Sequence, residues 1–183
     1  LERLAKVVQK VPTVFDTDLL SPLVLNEVKD VRSQKIVADH IRTSVFMLSD
    51  GAEPSNKDRG YILRRLLRRT WVLERKFKLS PQVLEELIIK VIEKYKSQYP
   101  SLIENKNNII NLYFAEWSKF KETLEAGLKQ VEKGGAPFIL FTSFGLPLEI
   151  VEELVSVDKA KFLAQMEEHK QLSSSAGEKK FKK

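Results

Sequence analysis

The sequence predicts an all-α fold, and three observations carry that reading. Nearly every segment with a readable hydrophobic period repeats at helical spacing. Ser-Pro pairs open segments and glycines close them. Only residues 138–144 form a short apolar run that fits strand or helix equally well. In order, residues 1–9 set Leu4, Val7 and Val8 at helical spacing, and a loop follows through Pro12 to Asp18. Ser21-Pro22 starts a short helix with proline in its first turn. Residues 33–49 carry Ile36, Val37, Ile41, Met47 and Leu48 on one broad face, and Gly51 suits the left-handed cap that ends them. Ser80-Pro81 opens a helix through Leu84, Leu87, Ile88, Val91 and Ile92 to about Tyr99. A longer one spans 103–133 and stops at Gly134-Gly135. Residues 148–155 and 159–172 read as two last helices, and the serine-rich, then lysine-rich stretch 173–183 reads as a linker. No internal repeat is present, and two or three packed helical layers are expected.

The segment between Gly51 and Ser80 says most about function. At about 100° per residue, Ile62, Leu63, Leu66, Leu67, Thr70 and Leu73 fall on one side of a helix. Arg64, Arg65, Arg68, Arg69, Arg75 and Lys76 fall on the other. This predicts one face on a core and an arginine face in water, with Asn56 or Asp58 as the N-cap. Residues 59–78 hold eight basic side chains and one acidic one, Glu74, a net +7 against +6 for the whole chain. The excess is therefore local. An idle solvated face and a dock for an acidic protein are the alternatives to a polyanion grip. The concentration of planar guanidinium forks favours phosphate and hence nucleic acid.

Composition narrows the rest. Hydrophobic content of 43% and charged content of 31% are those of a globular chain. Zero cysteines exclude a disulfide framework and thiolate metal sites, and suit a reducing cytoplasm. No apolar run approaches the ~18 residues of a membrane span. No signal or transit peptide is recognisable, and the chain opens without methionine, as an internal piece of something longer would. There are two histidines: His40 lies within the apolar face of its helix and His169 among charges. Asp39 and Arg42 can pair along one helix surface. No metal-ligand spacing, glycine-rich phosphate loop or nucleophile–base pair emerges, so the chain alone reads as a binding module, not a self-contained enzyme.

Four ordered blocks then carry a family resemblance. Pro54-Ser55-Asn56 followed by Arg59-Gly60-Tyr61-Ile62-Leu63-Arg64-Arg65 and Arg68-Arg69 resembles the middle region of alanyl-tRNA synthetases. Val37-Ala38-Asp39-His40-Ile41-Arg42 is similar to that family's preceding helix. Leu1-Glu2-Arg3-Leu4-Ala5 and Phe15-Asp16-Thr17-Asp18-Leu19 resemble the join to its catalytic domain. Phe144-Gly145-Leu146-Pro147-Leu148-Glu149 looks like its Tyr-Gly-Phe-Pro signature, and Glu178-Lys179-Lys180-Phe181-Lys182 like the lead-in to its editing domain. Residues 78–133 carry no recognised motif.

The resemblance implies a cytoplasmic class II ligase that joins alanine to ATP and then to its tRNA, with ATP and magnesium as cofactors of the full-length parent. None is expected in this chain. Residues 1–19 would close the catalytic domain, 20–172 would form the tRNA-recognition domain, and 173–183 would lead toward an editing domain. Arg3 would be the arginine of the third class II motif that holds ATP phosphates. The expected partner is the acceptor stem of alanine tRNA with its G·U pair, not DNA and not a membrane. Arg59, Arg64, Arg65, Arg68 and Arg69 would line the tRNA side, and Asn56 would read the pair. The family's second reader is an aspartate, and here Thr142 stands in its place. Replacing a charged acceptor by a neutral hydroxyl costs on the order of 1–3 kcal/mol at a buried contact. It predicts either a different reading of the pair or weaker discrimination. Phe141 and Phe144 are expected to anchor the Thr142 backbone.

Overall fold

The computed structural model describes residues 1–146 and 148–180. Pro147 and residues 181–183, which fall in the Phe144–Glu149 signature and in the expected linker, lie outside the described residues. Among the described residues there are helices and turns and no strand. The helices are α1 (Glu2–Gln9), α2 (Val31–Ser49), α3 (Asp58–Phe77), α4 (Pro81–Tyr95), α5 (Ser101–Glu104), α6 (Lys106–Glu132), α7 (Pro137–Thr142), α8 (Leu148–Leu154) and α9 (Lys159–Lys180). Two 3-10 turns, Val14–Asp16 and Ser21–Leu23, occupy the stretch between α1 and α2. The chain forms two compact units, residues 1–119 and 120–183.

In the first unit α2 packs against α3 and α4. Val37, Ile41, Val45 and Leu48 of α2 meet a core that also holds Leu63, Leu67 and Trp71 of α3 and Leu84, Ile88 and Ile92 of α4, all buried. Asp30 caps α2 by accepting from the Arg32 N–H at 3.1 Å and the Ser33 hydroxyl at 2.5 Å. Gly51 closes it at φ 73°, as its sequence position implies. The Asp39–Arg42 pair forms at 3.5 Å, and Arg42 also binds Glu2 of α1. His40 is largely buried, with Nδ1 3.2 Å from the Asp39 carboxylate. The long helix expected over 103–133 is interrupted at Asn105, which separates α5 from α6.

In the second unit Leu140, Leu146, Ile150, Val151 and Phe162 are buried. Phe138 and Phe141 meet the Phe162 ring edge-on, with centroids 5.8 and 5.5 Å apart. The ambiguous run 138–144 is thus helix, opened by Pro137 in its first turn. Phe141 and Phe144 are only half-buried, and Leu140 and Leu146 are the fully buried anchors on either side of Thr142. Helix α9 continues to Lys180, through the serine-rich stretch whose composition suggested a linker.

Candidate nucleic-acid interface

The loop between α2 and α3 is held by backbone and side-chain bonds at several points. Ala52 is buried and its N–H donates to the Met47 carbonyl at 2.9 Å. The Ser55 N–H donates to the Gly60 carbonyl at 3.1 Å, folding the loop back over the first turn of α3. This return requires glycine at position 60. A Cβ there would lie 2.2 Å from Ser55 Oγ and 2.4 Å from the Glu53 carbonyl oxygen. Asp58 begins the helix at φ 48°, in the left-handed region, and Lys57 is the cap residue without a side-chain bond. The expected cap by Asn56 or Asp58 is therefore corrected. The Asn56 side chain is engaged elsewhere.

Its partner is Arg64. One guanidinium nitrogen of Arg64 donates to Asn56 Oδ1, and the other to the Pro54 carbonyl at 3.1 Å. Arg59 braces the far end of the loop by donating to the Gly51 carbonyl at 3.3 Å. Asn56 itself is exposed at the tip.

The uniform arginine face expected from spacing divides into two rows. Arg64 and Arg68, one turn apart, turn toward α6, where the Glu116 carboxylate is 6% exposed. Arg64 Nε lies 2.9 Å and Arg68 Nη2 3.4 Å from Glu116 Oε1. With side-chain exposures of 22% and 16%, these two arginines are not on the solvent face. Burial pulls the Arg68 guanidinium below its ordinary value, and Glu116 opposes that pull. The second row starts about 100° further round with Arg65 and Arg69 and continues to Lys76. Arg65 and Lys76 are exposed and Arg69 half-exposed. The apolar side is also shifted from its expected centre. Ile62 is 48% exposed, while Gly60, Trp71 and Glu74 are buried on α3.

Glu116 is the residue that sequence reasoning missed. Ile109, Tyr113, Phe120 and Leu124 are all buried on α6, and Glu116 falls on that stripe. A carboxylate at a core position needs a cationic partner, and the surplus of arginine in α3 was the available one. Next to it, the Trp117 indole N–H donates to Glu74 at 2.9 Å, and the Trp71 and Tyr113 rings meet edge-on at 5.5 Å.

Thr142 sits in the last turn of α7, half-buried. Its hydroxyl donates to the Phe138 carbonyl at 2.8 Å. The hydroxyl proton is thereby committed, and Oγ1 is left to act as an acceptor. Arg3 is exposed on α1, where Leu4, Val7 and Val8 are also exposed. Among the described residues no three His, Asp or Glu gather as a metal site, and no helix is long and apolar enough to cross a membrane.

Comparison with known proteins matches the whole chain, residues 1–183, to the family described as tRNA synthetases class II (A). An alanine–tRNA ligase of Desulfitobacterium hafniense is 35% identical over 204 aligned residues, covering 94% of this chain and 23% of the relative. That of Bacillus cytotoxicus is 37% identical, covering 96% and 24%. That of Fusobacterium nucleatum is 35% identical, covering 97% and 24%. The chain thus spans about a quarter of the length of the curated relatives it matches.

Proposed function

The chain belongs to the class II tRNA synthetases as a piece of an alanine–tRNA ligase, and on that footing we propose that it binds the acceptor stem of alanine tRNA and reads its G·U pair. The observation that carries this reading is the α2–α3 loop, which holds an exposed Asn56 beside a row of cationic side chains. In A-form RNA the minor groove is wide and shallow, so a short polar side chain on a rigid loop can reach base edges while neighbouring cations meet phosphates. Arg65, Arg69 and Lys76 supply the backbone grip. Arg59, tied to the loop, adds charge at its edge. Arg64 and Arg68 contribute less to phosphate binding because Glu116 already offsets them.

Thr142 serves as the second reader. A G·U wobble leaves the guanine amino group exposed in the minor groove, and a hydroxyl whose proton is committed offers that group an acceptor. The threonine keeps the direction of the hydrogen bond that an aspartate would make and loses its charge.

The parent ligase would couple alanine to its tRNA, with ATP converted to AMP and pyrophosphate. Arg3, exposed on α1, is the residue of this chain that would meet ATP phosphates.

A salt series of binding titrations tests the reading, using labelled acceptor-stem hairpins that differ only in G·U or G·C. The chain is expected to prefer G·U, and Asn56→Ala to erode the preference. Equal affinity of the unaltered chain for both hairpins refutes it. A preference for acidic protein over tRNA at moderate salt would favour a protein-docking surface instead.

A further inference from the structure

We propose that Arg64 is a positioning residue that presents Asn56 to RNA as a hydrogen-bond donor, with Glu116 as its brace. The proposal rests on the acceptor-stem reading above and adds the chemistry of the contact. A guanidinium can only donate, so the Asn56 atom it meets is the carbonyl oxygen Oδ1. That leaves Nδ2, with its two N–H groups, for a ligand. Oδ1 keeps a second lone pair, but the guanidinium cation already seated on it disfavours a further donor there, so the partner of Asn56 is assigned as an acceptor, such as a base N3 or O2 or a ribose 2′ oxygen. The guanine amino group, itself a donor, falls to a different residue.

Three features make Arg64 a fixture of the loop. It bonds two loop groups at once, the Asn56 side chain and the Pro54 carbonyl. Its Nε is held 2.9 Å from a carboxylate that is 6% exposed. Arg68 converges on the same carboxylate oxygen, so Glu116 fixes the spacing of the inner arginine row. A planar fork meets all these demands together, and a lysine ammonium on a flexible stem does not. Arg64 thus transmits the packing of α6 to the loop tip.

Two experiments on this chain test the proposal. In the hairpin titration, Arg64→Lys keeps the charge and loses the fork. It is expected to lower the G·U over G·C preference by about fivefold or more while leaving the salt slope unchanged. Glu116→Gln should loosen the preference and steepen the salt slope, because two guanidinium charges are released toward phosphate. Replacing the stem guanine by inosine removes the exocyclic amino group. The loss of affinity caused by Asn56→Ala is expected to persist on the inosine stem, and its disappearance would overturn the donor assignment.

The second experiment needs no RNA. The side-chain amide resonances of Asn56 in the free chain should shift, and exchange faster with solvent, in Arg64→Lys. Unchanged resonances together with an unchanged preference would overturn the positioning role. A wild-type chain without G·U preference, but with Asn56 resonances that depend on Arg64, would refute the reading of the pair and leave the positioning standing.

Discussion

Gly60→Ala is a one-methyl probe of the loop that presents Asn56. The new Cβ would stand 2.2 Å from Ser55 Oγ and 2.4 Å from the Glu53 carbonyl oxygen. The serine hydroxyl can rotate away, but the carbonyl belongs to the backbone. It must retreat by about 1 Å to reach ordinary contact. That retreat stretches the Ser55 N–H to Gly60 carbonyl bond of 3.1 Å and carries the loop tip with it. Overpacking of this kind costs about 1–3 kcal/mol, offset by about 0.5–1 kcal/mol from the better helix propensity of alanine. A net loss of up to about 2.5 kcal/mol follows, and each kcal/mol lowers Tm by about 2–4 °C in a chain of this length. Thermal melts by circular dichroism read the stability, and the hairpin titration reads the preference. Gly51→Ala is the matched control. Its Cβ meets nothing within 4 Å, but its φ of 73° strains alanine by about 1–2 kcal/mol. Both variants should melt earlier, and only Gly60→Ala should lose G·U preference. A Gly60→Ala chain with wild-type melting and wild-type preference would refute the claim that the loop is packed against its helix.

Three further outcomes are expected. Thr142→Val should reduce affinity for the G·U hairpin by about fivefold or more and have no effect on an inosine stem, whereas Thr142→Asp should strengthen discrimination; anisotropy titrations measure both. Arg69→Ala should weaken binding to every stem alike and lower the salt slope by about one, a change that a purely structural role for Arg69 would not produce. The Arg42 bond holds the Glu2 carboxyl below its usual range, so its contribution is present above the ordinary carboxylate pKa and lost as pH falls through the depressed one. Glu2→Gln should therefore flatten the loss of Tm below about pH 4.

What the sequence revealed was mostly local. Helical periodicity located the helices because each apolar stripe is set by neighbours three and four residues away. Gly51 and Gly134 were legible as stops because left-handed backbone strongly favours glycine, and both take positive φ. Partnerships across the chain were not legible in the same way. The angular position of Arg64 and Arg68 placed them opposite the apolar stripe, and only the approach of α6 shows that Glu116 draws them inward from about 50 residues away. The misplacement of Ile62 has the same origin, since the buried arc of α3 is defined by what packs on it. The cap at Asn56 failed because the Arg64 guanidinium competes for the same side-chain oxygen. The break at Asn105 left no local mark beyond asparagine itself, a residue common inside and outside helices.

The seam between α3 and α6 has a practical consequence for spectroscopy. The chain contains two tryptophans, and both lie in that seam. Trp71 is 2% exposed and follows Arg68 by three residues, and Trp117 adjoins Glu116 with its indole N–H on a carboxylate. Indole emission is sensitive to solvent and to nearby charge, so the chain carries an optical reporter beside the cluster of Glu116, Arg64 and Arg68. Excitation of the native protein, without a label, reads the surroundings of that cluster.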